Sequence, residues 1–129
     1  MDDLIQVATK AREKSYSPYS KFAVGAAVKA STGEIFGGCN IENASYGLSM
    51  CAERNAIFNA VSAGHQDLVA IAVIGQTEGP ISPCGACRQV ISEFLPQTAP
   101  VYLTNLSGST VTTTVAAILP GAFLKGELI

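Results

Sequence analysis

The sequence predicts an α/β fold in which a mixed sheet carries helices on both faces. Three features predict it: a helical apolar pattern at the start, a glycine-containing hairpin after it, and an alternation of helix-period and strand-period segments beyond residue 50. At 129 residues the chain has the size of one domain and can bury a core without disulfide staples. No linker, repeat or low-complexity tract divides it, so residues 1–129 are read as a single domain.

Residues 2–15 place Leu4, Ile5, Ala8 and Ala11 on one helical face, and the helix is expected to stop before SYSPYS, because Pro18 disfavours a helical residue ahead of it. FAVGAAVKA (22–30), STGE and IFGGCN (35–40) read as strand, turn and strand, with Gly33 in the turn; the glycines within the strands weaken that pattern. MCAERNAIFNAVSAG (50–64) sets Ala52, Ala56, Ile57, Ala60 and Val61 at helical spacing and closes on Gly64. LVAIAVIG (68–75) is a continuous apolar run, as in a central strand covered on both sides. Between Cys84 and Leu95 the apolar positions return to helical spacing, PVYLTN (100–105) gives a short strand, and TVTTTVAAILPGAF (110–123) gives a last strand or helix.

Composition restricts the partners. With 48% hydrophobic against 14% charged residues, the surface retains apolar area, and an oligomer is expected. Apolar runs fall short of the roughly 20 residues of a membrane helix, and MDDLIQVATKAREK begins with acids instead of a basic segment, so a cytoplasmic protein with no membrane partner is expected. A net charge of −2 with the eight basic residues scattered leaves no footprint for nucleic acid and favours a small, weakly charged ligand.

Four cysteines in a reducing compartment suggest metal or catalytic roles over disulfides. Catalytic zinc takes three protein ligands and keeps one position open. Cys84 and Cys87 of SPCGACRQV supply two, and the candidates for a third are Cys39, Cys51 and His65. Alone, this C-x-x-C also suits a redox dithiol or half of a structural zinc site. Cys51 is the strongest third ligand, because Glu53, a possible proton carrier, follows it by two positions at a helix start. Cys51 and Cys84 both stand at helix N-termini, where the dipole and free N–H groups favour thiolates. Three thiolates on Zn²⁺ carry a net charge of −1, so Arg54 or Arg88, each just after a ligand segment, is expected to hydrogen-bond them. His65 reads as a solvated turn residue and Cys39 as a small buried thiol.

CAERNAIF and PCGACRQV, preceded by YSPYSKFAVGAAV and GCNIENASYG, resemble the cytidine deaminases, in particular the small homotetrameric type with a three-cysteine zinc site. The resemblance runs from Leu4 to Phe123. It implies a three-layer α/β/α sandwich on a roughly five-stranded mixed sheet and one Zn²⁺ per subunit, held by Cys51, Cys84 and Cys87. It implies Glu53 as the acid/base and Asn40, Ile41 and Glu42 as a nucleoside anchor, whose polar members bond the ribose hydroxyls. Phe22 would lie beside the pyrimidine, the Ala52 N–H would hold the base O2, and the Ser82 carbonyl would meet the departing amino group. Tyr46 and Phe123 would reach a neighbouring subunit's pocket, so that active sites are shared.

The implied reaction is hydrolytic deamination of cytidine and 2′-deoxycytidine to uridine and 2′-deoxyuridine, with release of ammonia, in pyrimidine salvage. A blasticidin-type antibiotic deaminase shares both metal motifs, although Asn-x-Glu fits a ribose better. A polynucleotide deaminase would want a basic channel. A structural zinc or redox-sensing module explains the cysteines but gives no reason for Glu53.

Overall fold

The computed structural model describes residues 1–128. Its strands are β1 (Val24–Ala30), β2 (Ile35–Cys39), β3 (Leu68–Gly75), β4 (Pro100–Asn105) and β5 (Thr110–Thr114). They form one sheet in the order β2-β1-β3-β4-β5; only β3 and β4 run parallel, and the other neighbours are antiparallel. The apolar run 68–75 is therefore central, as its pattern requires. Helix α1 (Asp2–Arg12) covers one face, where Leu4 and Ala8 meet Ala27, Ala70, Ala72 and Ile74. Helices α2 (Ala52–Ser62), α3 (Gly85–Phe94) and α4 (Val115–Ile118) cover the other, over Val28, Ile71, Val73 and Val101. The layers are α/β/α.

The glycines that blur the hairpin in the sequence are what allow the helices to come close. A Cβ on Gly25 would stand 2.0 Å from the Ala8 carbonyl oxygen, and one on Gly38 would stand 2.3 Å from the Ala56 nitrogen. The backbones of α1 and α2 thus lie directly on β1 and β2. Helix α2 is then fastened to edge strand β2 by side-chain amides: Asn55 donates to the Cys39 carbonyl at 2.8 Å and Asn59 to the Gly37 carbonyl at 2.9 Å. These bonds satisfy carbonyls of an edge strand and fix α2 along its length.

Three details differ from the sequence reading. The first helix ends at Arg12 and not at residue 15, because the chain tightens into i→i+3 turns, Lys14 to Ala11 and Ser15 to Arg12. Tyr16 then bonds the Asn40 carbonyl instead of continuing the helix. The segment 110–123 is both a strand and a helix: Thr114 ends β5 and caps α4 by accepting from the Ala117 N–H at 3.2 Å. His65 is not simply solvated; it packs on the Phe36 ring and lies 3.5 Å from a Glu34 carboxylate oxygen. Among the described residues no helix is long and apolar enough to cross a membrane.

Gly38→Ala should cost at least about 1–3 kcal/mol, since the clash is with helix backbone. Gly79→Ala, where an added Cβ meets nothing within 4 Å, should stay within about 0.5 kcal/mol. Urea unfolding of the two variants checks the contrast.

Candidate active site

Two helix starts converge. Cys51 is the N-cap of α2 and Cys84 the N-cap of α3, both with extended backbone, and neither side chain caps its own helix. Their sulfurs lie 3.7 Å apart. Cys87, one turn into α3 and fully buried, completes a group whose Sγ atoms are all within 4.8 Å of one another. Metal–sulfur bonds of about 2.3 Å in a tetrahedron put two sulfurs about 3.8 Å apart. The donor set and its spacing fit zinc. His65 and Cys39 are outside the group.

The charge around the sulfurs is arranged for this. Arg54 Nη2 donates to Cys51 Sγ at 3.4 Å. A hydrogen bond from Cys87, joined by those from Arg54 and Cys84 and opposed by burial, brings the Cys51 thiol down to about 5. Cys87 is pushed upward by the same bond and by burial. A coordinated divalent cation removes that asymmetry, because it deprotonates its thiol ligands. Arg54 Nε is buried without a hydrogen-bond partner among the described residues, so its guanidinium engages the sulfurs through one edge.

Glu53, in the first turn of α2, is 5% exposed. Burial raises its carboxyl pKa, with the Cys51 charge acting in the same direction. Its side chain lines a cavity of about 360 Å³ together with Cys51, Ala52 and Cys84. Phe22, Asn40, Glu42 and Ser82 line the same cavity. Ser20, Val24 and Ile81 also do, and sequence reasoning missed them. Ser20 could have been suspected, two residues before Phe22; nothing in the sequence distinguishes Val24 or Ile81 from core.

Asn40 and Glu42 build the rim while facing the cavity. The Asn40 side chain accepts from Ser15 Oγ and from the Val24 N–H at 2.9 Å, and donates to the Phe22 carbonyl at 2.7 Å. Glu42 Oε1 accepts from the N–H groups of Tyr19 and Ser20, each at 3.1 Å, and Oε2 accepts from Ser20 Oγ. The Ser20 hydroxyl and N–H, with the Tyr19 N–H, hold the Glu42 carboxyl below the usual carboxylate range. Asn40 keeps one amide hydrogen, and a carboxylate with about four acceptor sites keeps one lone pair.

Three of the residues singled out in the sequence are not brought to this cavity. Ile41 lines a separate groove of about 440 Å³ among α1, β2 and α2, beside Lys10 and Lys14. Tyr46 stands at the rim, edge-on to Tyr19 with ring centroids 6.1 Å apart. Phe123 is in the C-terminal segment, where its carbonyl accepts from Gln89 Nε2 at 2.7 Å. Of the two arginines expected at the thiols, Arg54 is there, whereas Arg88 bonds oxygens elsewhere.

A C-A-E at one helix start and a P-C-x-x-C at another, meeting on a buried carboxyl, define a zinc-dependent hydrolase of the deaminase class. Residues 1–103 match the family model described as the cytidine and deoxycytidylate deaminase zinc-binding region, and the chain belongs to that family. It is 58% identical to a cytidine deaminase of Sporosarcina psychrophila over 99% of this chain and 94% of that one. It superposes on the crystal structure of cytidine deaminase from Burkholderia pseudomallei with a TM-score of 0.92 and 53% identity, covering 95% of this chain and 98% of that one. A blasticidin-S deaminase of Bacillus cereus is 33% identical, over 92% of this chain and 88% of its own length.

Arg54→Gln should weaken zinc binding by about 10- to 100-fold, as loss of a hydrogen-bonding partner of a ligand does. Competition against a chromophoric chelator measures it; unchanged affinity would remove Arg54 from the metal site.

Proposed function

We propose that the protein hydrolytically deaminates cytidine and 2′-deoxycytidine to uridine and 2′-deoxyuridine, with release of ammonia, in cytoplasmic pyrimidine salvage. The observation that carries this reading is the buried Glu53 carboxyl, which shares one cavity with Cys51 and Cys84 and with the partly free polar groups of Asn40 and Glu42. Cys51, Cys84 and Cys87 hold one zinc. When bound, zinc supplies the Lewis acidity that lowers the pKa of water from 15.7 to about 7.

Glu53 moves the protons. Its carboxylate takes a proton from the attacking water and delivers it to N3 of the base while the water oxygen bonds to C4. The same carboxyl then passes the remaining proton to the amine, the C4–N bond breaks and ammonia leaves. A raised pKa suits Glu53 to hold each proton between taking it from the oxygen and delivering it to nitrogen.

The other cavity residues orient the nucleoside. The remaining Asn40 N–H and Glu42 lone pair form a donor and an acceptor for two sugar hydroxyls, each of which can do both. The Ala52 N–H belongs to the first turn of α2, where amides lack intrahelical acceptors, and is offered to the base O2. Phe22 packs against the ring, and the Ser82 carbonyl receives the amino group. A cavity of about 360 Å³ is in the range of small-molecule sites. The higher identity to a cytidine deaminase favours a plain nucleoside over blasticidin. A structural or redox module would leave the burial of Glu53 beside the thiols without purpose.

The working unit is a homotetramer with shared sites. Tyr46 and Phe123 are 76% and 54% exposed, which leaves both rings free to meet another chain, and Tyr46 adjoins the cavity rim. Ile41, facing its own groove, has no place in substrate binding within one chain and is assigned to the subunit contact. Analytical ultracentrifugation should give the mass of four chains; a monomer that turns over cytidine would overturn this arrangement.

Conversion of cytidine to uridine, followed by the fall in ultraviolet absorbance, tests the activity directly. Glu53→Gln should keep fold and zinc and lose turnover by at least about 10²–10⁴-fold. Near-normal turnover in that variant would exclude Glu53 as the proton carrier.

A further inference from the structure

Arg88 follows Cys87 directly, yet it donates nothing to the thiols. Its Nε donates to the Pro83 carbonyl at 2.8 Å, Nη2 to Ser82 Oγ at 2.6 Å and Nη1 to the Ile118 carbonyl at 2.6 Å. The first two acceptors belong to the connection between β3 and α3, which forms one wall of the cavity through Ile81 and Ser82. The third is the last residue of α4, where helix carbonyls lack intrahelical donors.

Residues 76–84 form neither helix nor strand, so their position is set by bonds from outside the segment. Its first half is anchored by Asn105, whose buried side-chain amide donates to the carbonyls of Thr77 and Glu78 at 2.9 Å each. Ile81 is tied to the Thr104 carbonyl. The last stretch, which carries Ser82 and leads into Cys84, is held by Arg88. A guanidinium offers its N–H groups in one rigid plane, so three simultaneous bonds fix three acceptors relative to one another; an ammonium has the charge without the fork.

We propose that Arg88 is a positioning residue of the site, setting the Ser82 wall over the cavity by geometry and leaving the charge of the thiols to Arg54. This rests on the deamination reading, in which the Ser82 carbonyl meets the amino group at C4. A displaced wall loses its hold on that amino group. It matters far less to a base that carries oxygen there.

Arg88→Lys keeps the charge and removes the fork, and kcat and KM for cytidine, the inhibition constant of uridine and zinc per chain are measured on it. The expected result is a fall in kcat/KM for cytidine of about tenfold or more, with uridine binding within about twofold and zinc content unchanged. Equal weakening of cytidine and uridine, loss of zinc in step with activity, or an unchanged kcat/KM would each overturn the assignment. Arg88→Gln is judged by the same ratio should the lysine variant not fold. Failure of the unsubstituted protein to deaminate cytidine would instead overturn the deamination reading itself.

Discussion

The site depends on the close approach of the N-termini of α2 and α3, which sets the Cys51 and Cys84 sulfurs 3.7 Å apart. Both helix dipoles and their free amide groups then point at one spot, which favours thiolate charge and, through it, a cation. Nothing local to either helix creates the meeting. It comes from α2 lying on β2 without a side chain between them at Gly38, and from Asn55 and Asn59 tying it to that strand. Stability and chemistry therefore share one set of contacts: the packing that buries Ala56 and Ile57 also carries Glu53 to the cavity floor.

The rim is built with similar economy. Residues 13–23 have little regular structure, and their shape is imposed by Asn40 and Glu42 from the end of the hairpin. Lys21 sits there at φ 59°, a left-handed conformation that a lysine adopts at some cost. The Glu42 carboxylate on Tyr19 and Ser20 and the Asn40 amide on Phe22 sustain that turn. Each of the two side chains retains one unused hydrogen-bonding site, so a ligand that took both would complete a network already oriented. Little of the entropy of ordering the loop would then be charged to binding.

Much of this was legible because apolar periodicity and motif spacing are local properties. β3 and β4 fall on the residues whose patterns announce them, and the ends of α2 and α3 follow from Cys51 and Cys84 as N-caps. The cysteine group was legible for the same reason. What a single chain of letters hides is through-space: Gly25 and Gly38 read as weak strand residues until the helix backbones above them are seen. Val24 and Ile81 look like core because they are core, with one side turned to the cavity. Asn105 belongs to no motif, and its task appears only when the segment it holds, 27 residues away in sequence, is brought beside it.

The two arginines show how far equal sequence contexts can diverge. Arg54 follows C-A-E and Arg88 follows C-G-A-C, so each has the same claim on the thiols. Arg54 reaches Cys51 because it is three residues on, one helical turn, from an N-cap whose side chain turns back over that turn. Arg88 stands four residues after Cys84, also about one turn on from an N-cap, so spacing alone does not separate the two. Its guanidinium is instead taken up by the Pro83 and Ile118 carbonyls and the Ser82 hydroxyl, acceptors that the neighbouring connection and α4 bring beside it. One cation offsets charge where the ligands cluster. The other spends its charge on neutral oxygens, where only direction and planarity distinguish it from a lysine, and its value must lie in geometry.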